Sequence, residues 1–411
     1  MRCLIVGAGI VGICSALYLQ REGHEVVVID RSGPGAGTSK GNAGVFANGH
    51  VVPIGTPGIL KRVPRMLLDS TSPLTLRWSY LPSIAPWLIR LLAASTPRRV
   101  EAISRALAAL LAPASDSYRP LLKSAGAEDM VQRRGWLILY ETEESRRAAQ
   151  SDLDLRRRRG IRWEELEEGT IRQLAPAVRP GPIWGVMLPD CEHTIDPYRL
   201  TVALAEDFVA RGGTVMRGNV RTGIDQDGKP EVTTDTGLIA FDRLVIAAGP
   251  WSRTLLRGLG DDAPLDTERG YHVMLANDID LRIPLLSADN KFSMTPMTEG
   301  VRLAGTVEFA GLEAPPNPKR WNIMADRARA LLPGLKPDQR STWMGFRPSM
   351  PDSLPVIGPS LRHPNVFYAF GHGHLGLTLG AVTGRTIADL IANRSPAIDV
   401  NAYRINRFSL M

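Results

Sequence analysis

The chain has 411 residues, of which 44% are hydrophobic and 22% charged, with a formal net charge of +7. That length asks for two or three domains, and the ordinary globular mix excludes a disordered or fibrous chain. Part of the positive excess lies in the run Arg156–Arg159, which reads as a solvated helix face; no aromatic residues alternate with it, which argues against a nucleic-acid patch.

The cysteines are Cys3, Cys14 and Cys191, an odd number without a CxxC. Neither a disulfide framework nor a metal site is expected. A first strand beginning by Cys3 leaves no room for a signal peptide. No uncharged apolar stretch reaches ~18 residues, so no membrane span is expected and the cytoplasm is the default location.

The opening residues set the first element. An apolar run, Cys3–Val6, ends in Gly7-Ala8-Gly9-Ile10-Val11-Gly12. A helical pattern follows and stops at Gly23, and a second apolar run ends in Asp30. Gly7 permits the tight turn, Gly9 lets backbone approach a pyrophosphate, and Gly12 lets helix and strand pack closely. The helix N-terminus presents N–H groups to phosphates. Asp30 lies where a carboxylate accepts ribose hydroxyls, which favours FAD or NAD over NADP.

Residues 31–60 are rich in Gly, Ser, Asn and Pro, a long loop that a compact domain keeps for binding. Thr38, Ser39 and Asn42 offer donors there. Residues 61–112 read as helices. The apolar segment Leu76–Ala94 is broken by Pro82 and Pro86; it reads as a helix pair packed on its own domain, with a membrane-surface patch as the alternative. Helices Arg99–Leu111 and Ala114–Ala125, a strand Gly135–Tyr140, a charged exposed helix Glu141–Arg159 and a short helix within Trp163–Leu174 follow. Asp196 caps a helix Pro197–Arg211. Strands at Thr214–Met216 and Asn219–Ile224 and a hairpin lead to the buried strand Leu244–Ala248, which meets the turn Gly249-Pro250-Trp251.

Tyr271–Leu275, Phe292–Thr295 and Val301–Phe309 alternate as strands of an antiparallel sheet. A helix Trp321–Leu332 follows. The end returns to α/β. The strand Val366–Ala369 runs into Gly371-His372-Gly373-His374-Leu375-Gly376, and the helix Leu377–Ala392 carries Gly380, Ala381 and Gly384 as a flat packing face.

Several stretches together resemble the FAD-dependent D-amino-acid oxidase and dehydrogenase superfamily. They are VGAGIVGICSALYLQREGHEVVVID, TSKGNAG, VIAAGPWS, RGYHVML, WMGFRPSMPDSLPVIGPS and GHGHLGLTLGAVTGRTIADLI. The chain is most similar to bacterial D-amino acid dehydrogenases and their cis-4-hydroxy-D-proline dehydrogenase relatives. The resemblance implies an α/β plus α+β architecture. A discontinuous Rossmann-like FAD-binding domain (1–60, 185–255, 345–411) joins a substrate domain on an antiparallel sheet (61–184, 256–344).

It also implies FAD, bound and not tethered. Gly7, Gly9, Gly12, Asp30 and Arg31 fall on the adenosine diphosphate half. Ser39, Asn42 and Gly44 run along the flavin, and Val220 meets the adenine. Gly249 and Trp251 flank the pyrophosphate. Gly373, Leu375, Gly376, Leu377 and Thr378 form the flavin's pyrimidine edge. A helix N-terminus at that edge stabilises the negative charge that reduction places there.

Arg347 matches the carboxylate-binding arginine, and a guanidinium grips a carboxylate with two parallel hydrogen bonds. Arg269 and Arg302 are weaker candidates for the same task. Tyr271, His50 and His374 are expected to line the substrate site. His372 and Asn48 lie near the same place.

The implied reaction is oxidation of a D-amino acid, or of a cyclic D-imino acid of the D-proline or cis-4-hydroxy-D-proline type, by hydride transfer to flavin N5. Residues 49–74 resemble the hydroxyproline relatives. Alternatives are a sarcosine- or glycine-oxidase-like activity, or an electron-transfer subunit without amino acid turnover. Oxygen, a quinone and a partner protein all stay open as the acceptor that reoxidises the flavin, and peripheral contact on the inner face of the cell membrane through residues 76–94 is the alternative to a location free in the cytoplasm.

Overall fold

The structure is a computed structural model that describes residues 1–57, 72–181, 183–276 and 279–408. The expected helical stretch 61–71, and with it part of the hydroxyproline-like segment, lies outside the described residues.

The chain opens with strand β1 (Arg2–Val6), helix α1 (Ile10–Arg21) and strand β2 (Glu25–Asp30). They form the middle of a six-stranded sheet in the spatial order Thr214–Arg217, β2, β1, Arg243–Ile246, Val366–Phe370, Val356–Pro359. All neighbours are parallel except the last pair. Both faces are covered, as parallel sheets require. Cys3, Ile5, Val26, Val28 and Val245 face one cluster with α1, while Leu4, Val6, Val27, Ile29 and Leu244 face another. The period of two thus places every residue of β1 after Arg2 in a core.

The second sheet has nine strands. Three long ones carry its functional edge: β3 (Asp266–Leu275), flanked by β4 (Gly300–Phe309) and β5 (Gln339–Ser349), both antiparallel to it. Beyond β4 follow Phe292–Met297, Leu285–Ser287, Trp136–Tyr140, Trp184–Leu188 and Glu164–Leu166. The sheet is antiparallel apart from two parallel pairs, Leu285–Ser287 with Trp136–Tyr140 and Leu74–Leu76 with β4. Strand Trp184–Leu188 and the residues of β5 from 345 onward belong to this sheet by hydrogen bonding, although the sequence reading set them with the first domain.

Helix α2 (Leu81–Ala94) corrects one expectation. Pro86 lies inside it and Pro82 in its first turn, where a missing N–H costs nothing. The helix turns Ile84, Trp87 and Leu91 onto Phe309 of β4. It leaves Trp78, just before it, and Ile89 exposed.

The arginine run is a second correction. Arg156 is buried and donates to the Gly49 carbonyl, and Arg159 is held by Ser104 and Glu101, so only Arg157 and Arg158 form a solvated face.

The chain closes with helix α3 (Gly376–Ile391), which packs on α1. A Cβ at Gly384 would lie 2.6 Å from the Cys14 carbonyl carbon, and one at Gly380 would lie 2.7 Å from the Tyr118 hydroxyl. The flat face read from the sequence is therefore a contact where backbone meets backbone. Among the described residues, no helix is long and apolar enough to cross a membrane.

Candidate active site

A cavity of about 300 Å³ opens along the carboxyl ends of the parallel strands, the place where open α/β sheets bind ligands. One end is lined by Asp30, Arg31, Val220, Gly249 and Trp251; the middle by Gly7, Gly9, Ser39 and Asn42; the other end by Gly373, Gly376 and Leu377. Twelve of the expected cofactor residues thus share one wall-to-wall groove.

The turn at its centre is dictated by backbone. Gly7 sits at φ +110°, and a Cβ there would lie 2.4 Å from the Ala247 carbonyl oxygen. Asp30 first knits this turn together: its carboxylate accepts N–H bonds from Ala8 (2.9 Å), Ser32 (2.7 Å) and Gly33 (3.0 Å). The Ser39 hydroxyl accepts from the Ile10 amide at 3.0 Å and so caps α1. The Arg31 guanidinium stacks 3.5 Å over the Trp251 ring.

Four expected cofactor residues do not line this groove. Gly12 packs against the turn, since its Cβ would sit 1.9 Å from the Gly7 carbonyl oxygen. Gly44 is pressed against Met297 and Thr194. The buried Thr378 hydroxyl accepts from the Ala47 amide, tying the incoming loop to α3. Leu375 lines a smaller adjoining cavity with His50, Ser349 and His374. The sequence reading assigned no cofactor role to Asn219, Thr254, Pro348, Phe370 and His372, which do line the groove. Thr254 was legible in principle, one helical turn beyond Trp251; Pro348 follows Arg347.

The groove fits FAD. Neither α1 nor α3 has an acidic residue in its first turn, and neither is capped by its own N-cap side chain. Both therefore turn positive, donor-bearing ends to the groove. Those residues would hold the pyrophosphate at α1 and the electron-rich flavin edge at α3, with Arg31, Val220 and Trp251 around the adenosine.

The substrate-side residues come from the face of the second sheet turned to residues 38–44. On this face His272 stacks with Trp343 (centroids 5.3 Å apart), and a Cβ at Gly41 would lie inside the Trp343 ring. Next along the ladder Gly270 opposes Gly345, and Glu268 opposes Arg347. Arg347 is half-buried, with its guanidinium lying across Gly270, where a Cβ would be 2.4 Å from Cζ. It donates to the carbonyls of Thr306 (2.7 Å) and Gly305 (3.3 Å). Thr306 takes a positive φ of 58°, and the ladder register shifts opposite it between Arg269 and Tyr271. Two of the five guanidinium N–H groups are spent on backbone, which leaves donors for a ligand.

Beyond Arg347 stand His374 and His50, their Nε2 atoms 2.9 Å apart and their rings edge to face. His374 is open to the cleft, yet surrounding protein and the Arg347 charge push it down to about 4. Burial, then the His374 charge, hold His50 well below the usual imidazole value. Both shifts favour the uncharged imidazoles, and across the Nε2–Nε2 contact either ring can act as the donor.

Tyr271 is not part of this constellation, which overturns its expected role. It lies on the opposite face of β3, buried against Trp321, donates to Glu308 at 2.5 Å and accepts from the Asn317 amide at 3.0 Å. Alternation explains this: Gly270 lies against Arg347 and His272 against Gly41 and Trp343, so Tyr271 between them points the other way. Arg269 is on that far face too, donating to Gly311 and Pro315 and paired with Glu308. Arg302 spends one terminal nitrogen on the carbonyls of Lys40 and Asn42, fastening the loop.

Comparison with known proteins agrees with this geometry. The chain is 41% identical over 416 residues to a D-amino-acid oxidase of Bradyrhizobium diazoefficiens, spanning 98% of each chain. It is 33% identical over 426 residues to a D-amino acid dehydrogenase of Paramagnetospirillum magneticum, covering 100% of this chain and 99% of that one. The fold matches the crystal structure of glycine oxidase from Geobacillus kaustophilus with a TM-score of 0.75, at 20% identity over 99% of both chains. The model of the FAD dependent oxidoreductase family, DAO, matches residues 2–390. With a glycine-lined groove between two helix N-termini and that match over nearly its whole length, the chain belongs to the DAO family of FAD-dependent oxidoreductases.

Proposed function

We propose that this enzyme oxidises a D-amino acid, or a cyclic D-imino acid of the D-proline or cis-4-hydroxy-D-proline type, to the corresponding imine. The observation that carries the reading is Arg347, a half-buried guanidinium with only backbone carbonyls as hydrogen-bond partners among the described residues, on the sheet face turned to residues 38–44. The two curated relatives, named for D-amino acids, support the choice of substrate class.

FAD held in the groove would supply the two-electron acceptor for oxidation of the substrate α-carbon. The protein does the rest by placement. Arg347 grips the substrate carboxylate with two parallel hydrogen bonds, which fixes the α-carbon without any further contact to the side chain. His50 and His374, held neutral, add no positive charge that would repel the substrate ammonium, and water relays the proton it gives up. The amine lone pair then pushes as the hydride leaves, and the imine hydrolyses in water to the 2-oxo acid and ammonia, or stays cyclic.

Physiological reoxidation goes to a quinone or partner protein in this reading, at the cytoplasmic face of the membrane. Turnover of a D-amino acid panel with a dye acceptor tests the substrate class. D-proline and small apolar D-amino acids are expected to turn over and their L-enantiomers are not. Turnover of L-substrates alone, or of sarcosine and glycine alone, would overturn it.

A further inference from the structure

The second carboxyl in the site has no evident task. Glu268 faces Arg347 across the ladder, only 4% exposed, and its Oε1 has no hydrogen-bond partner among the described residues. The buried hydroxyl of Thr306 likewise lacks one, while the Ser349 hydroxyl lies near enough to Glu268 to favour its ionised form. No carboxylate is within salt-bridge distance of Arg347 among the described residues. Burial pushes the Glu268 carboxyl up from its ordinary value; the Arg347 charge and then the Ser349 hydroxyl oppose that rise, and the Asp266 charge adds to it. Arg347 is thus the cation that compensates Glu268, which faces it across the ladder. A substrate carboxylate on Arg347 takes over that compensation. Glu268 would then be a second anion sharing one buried cation, where one of two carboxyls keeps a proton.

We propose that Glu268 is the alternating countercharge of Arg347, ionised while the guanidinium has no ligand and protonated when a substrate carboxylate sits on it. Binding of a carboxylate therefore carries a proton into the site. The inference deepens the proposed function and rests on Arg347 as the carboxylate anchor. Glu268 is a positioning residue: it keeps the guanidinium compensated between turnovers and gives way without moving.

The groups facing Glu268 are few. Strand β5 contributes Arg347 and Ser349, and β4 contributes Thr306. Its own strand contributes Asp266, which accepts from the Tyr80 hydroxyl at 2.9 Å and feels Arg253. His374 stands beyond Arg347. Burial raises Asp266 as well, so it is the control.

The experiment titrates FAD-loaded protein with benzoate, a carboxylate without an amine. Calorimetry in buffers of different protonation enthalpy reads the proton count, and the flavin spectrum reads occupancy. Wild type at about pH 8 should take up about one proton per benzoate, and its affinity should fall about tenfold per pH unit between the value of Glu268 in the free site and its higher value in the occupied one. E268Q should take up none and bind with flat pH dependence, while D266N should still take up about one proton, its fall in affinity beginning at lower pH because the Asp266 charge raises Glu268. Wild type binding benzoate without proton uptake overturns the proposal, and that needs no variant to fold. Proton uptake that persists in E268Q overturns it too. If R347M binds benzoate as tightly as wild type, the anchor reading itself fails, and this inference with it.

Discussion

A guanidinium held by two main-chain carbonyls is fixed before any ligand arrives, and its replacement cannot be made good by a flexible ammonium. R347K is therefore expected to lower kcat/KM by about 10²–10³, roughly 3–4 kcal/mol of lost transition-state binding. Steady-state kinetics checks this; a loss under about threefold would remove Arg347 from the site. G270A puts a methyl 2.4 Å from Cζ of that guanidinium and should act as a milder version of the same loss, with FAD still bound. Tyr271 gives the opposite outcome. Y271F leaves the buried Glu308 short of a donor, so it should cost about 1–2 kcal/mol of stability and leave kcat/KM within about twofold. Arg347 stands out in the sequence because its motif is distinctive. The fate of Tyr271 was not, because RGYHVML alternates in hydrophobicity too weakly to say which face meets the groove. Only the pairing of Gly270 with Gly345 and Glu268 with Arg347 decides it.

At the scale of elements, the contact between α1 and α3 is the least forgiving. A Cβ at Gly384 meets Cys14 backbone at 2.6 Å, and backbone cannot rotate away. G384A should separate the helices, lower the thermal midpoint by an amount corresponding to about 1–3 kcal/mol, and weaken FAD retention. Thermal unfolding and the flavin content of the purified variant check it; an unchanged midpoint would show that the helices can move apart freely. This packing was readable from the spacing of small residues alone. The continuous course of α2 through Pro86 was not. Tertiary contact of Ile84, Trp87 and Leu91 with Phe309, and the Trp87 indole donating to the Ser349 carbonyl at 3.1 Å, outweigh the missing amide. The split of Arg156–Arg159 into buried and exposed pairs has the same origin, since charge alone says nothing about a carbonyl waiting at Gly49.

Across the whole molecule, several histidines are kept neutral by burial: His193 and His374 are pushed down to about 4, His272 and His372 to about 3, and His50 lies well below its usual value. Their folded values lie below the unfolded value, so the unfolded chain binds protons first as pH falls. Stability present above about pH 6.5 is lost progressively through pH 4 and below. The thermal midpoint of FAD-loaded protein should drop between about pH 7 and about pH 5; a flat midpoint would contradict this. The two-sheet plan was legible because βα units and alternating strands differ in period. The strands that cross between its expected segments, Trp184–Leu188 and β5, were harder, since pairing partners dozens of residues away leave no local mark. Anaerobic mixing of the yellow protein with a D-amino acid panel reads whether a D-amino acid held by Arg347 reduces FAD in the groove. D-proline or a small apolar D-amino acid should bleach it, the L-enantiomers should not, and R347M should lose the bleaching with FAD still bound. A protein that dithionite bleaches and no D-amino acid does would contradict that reading.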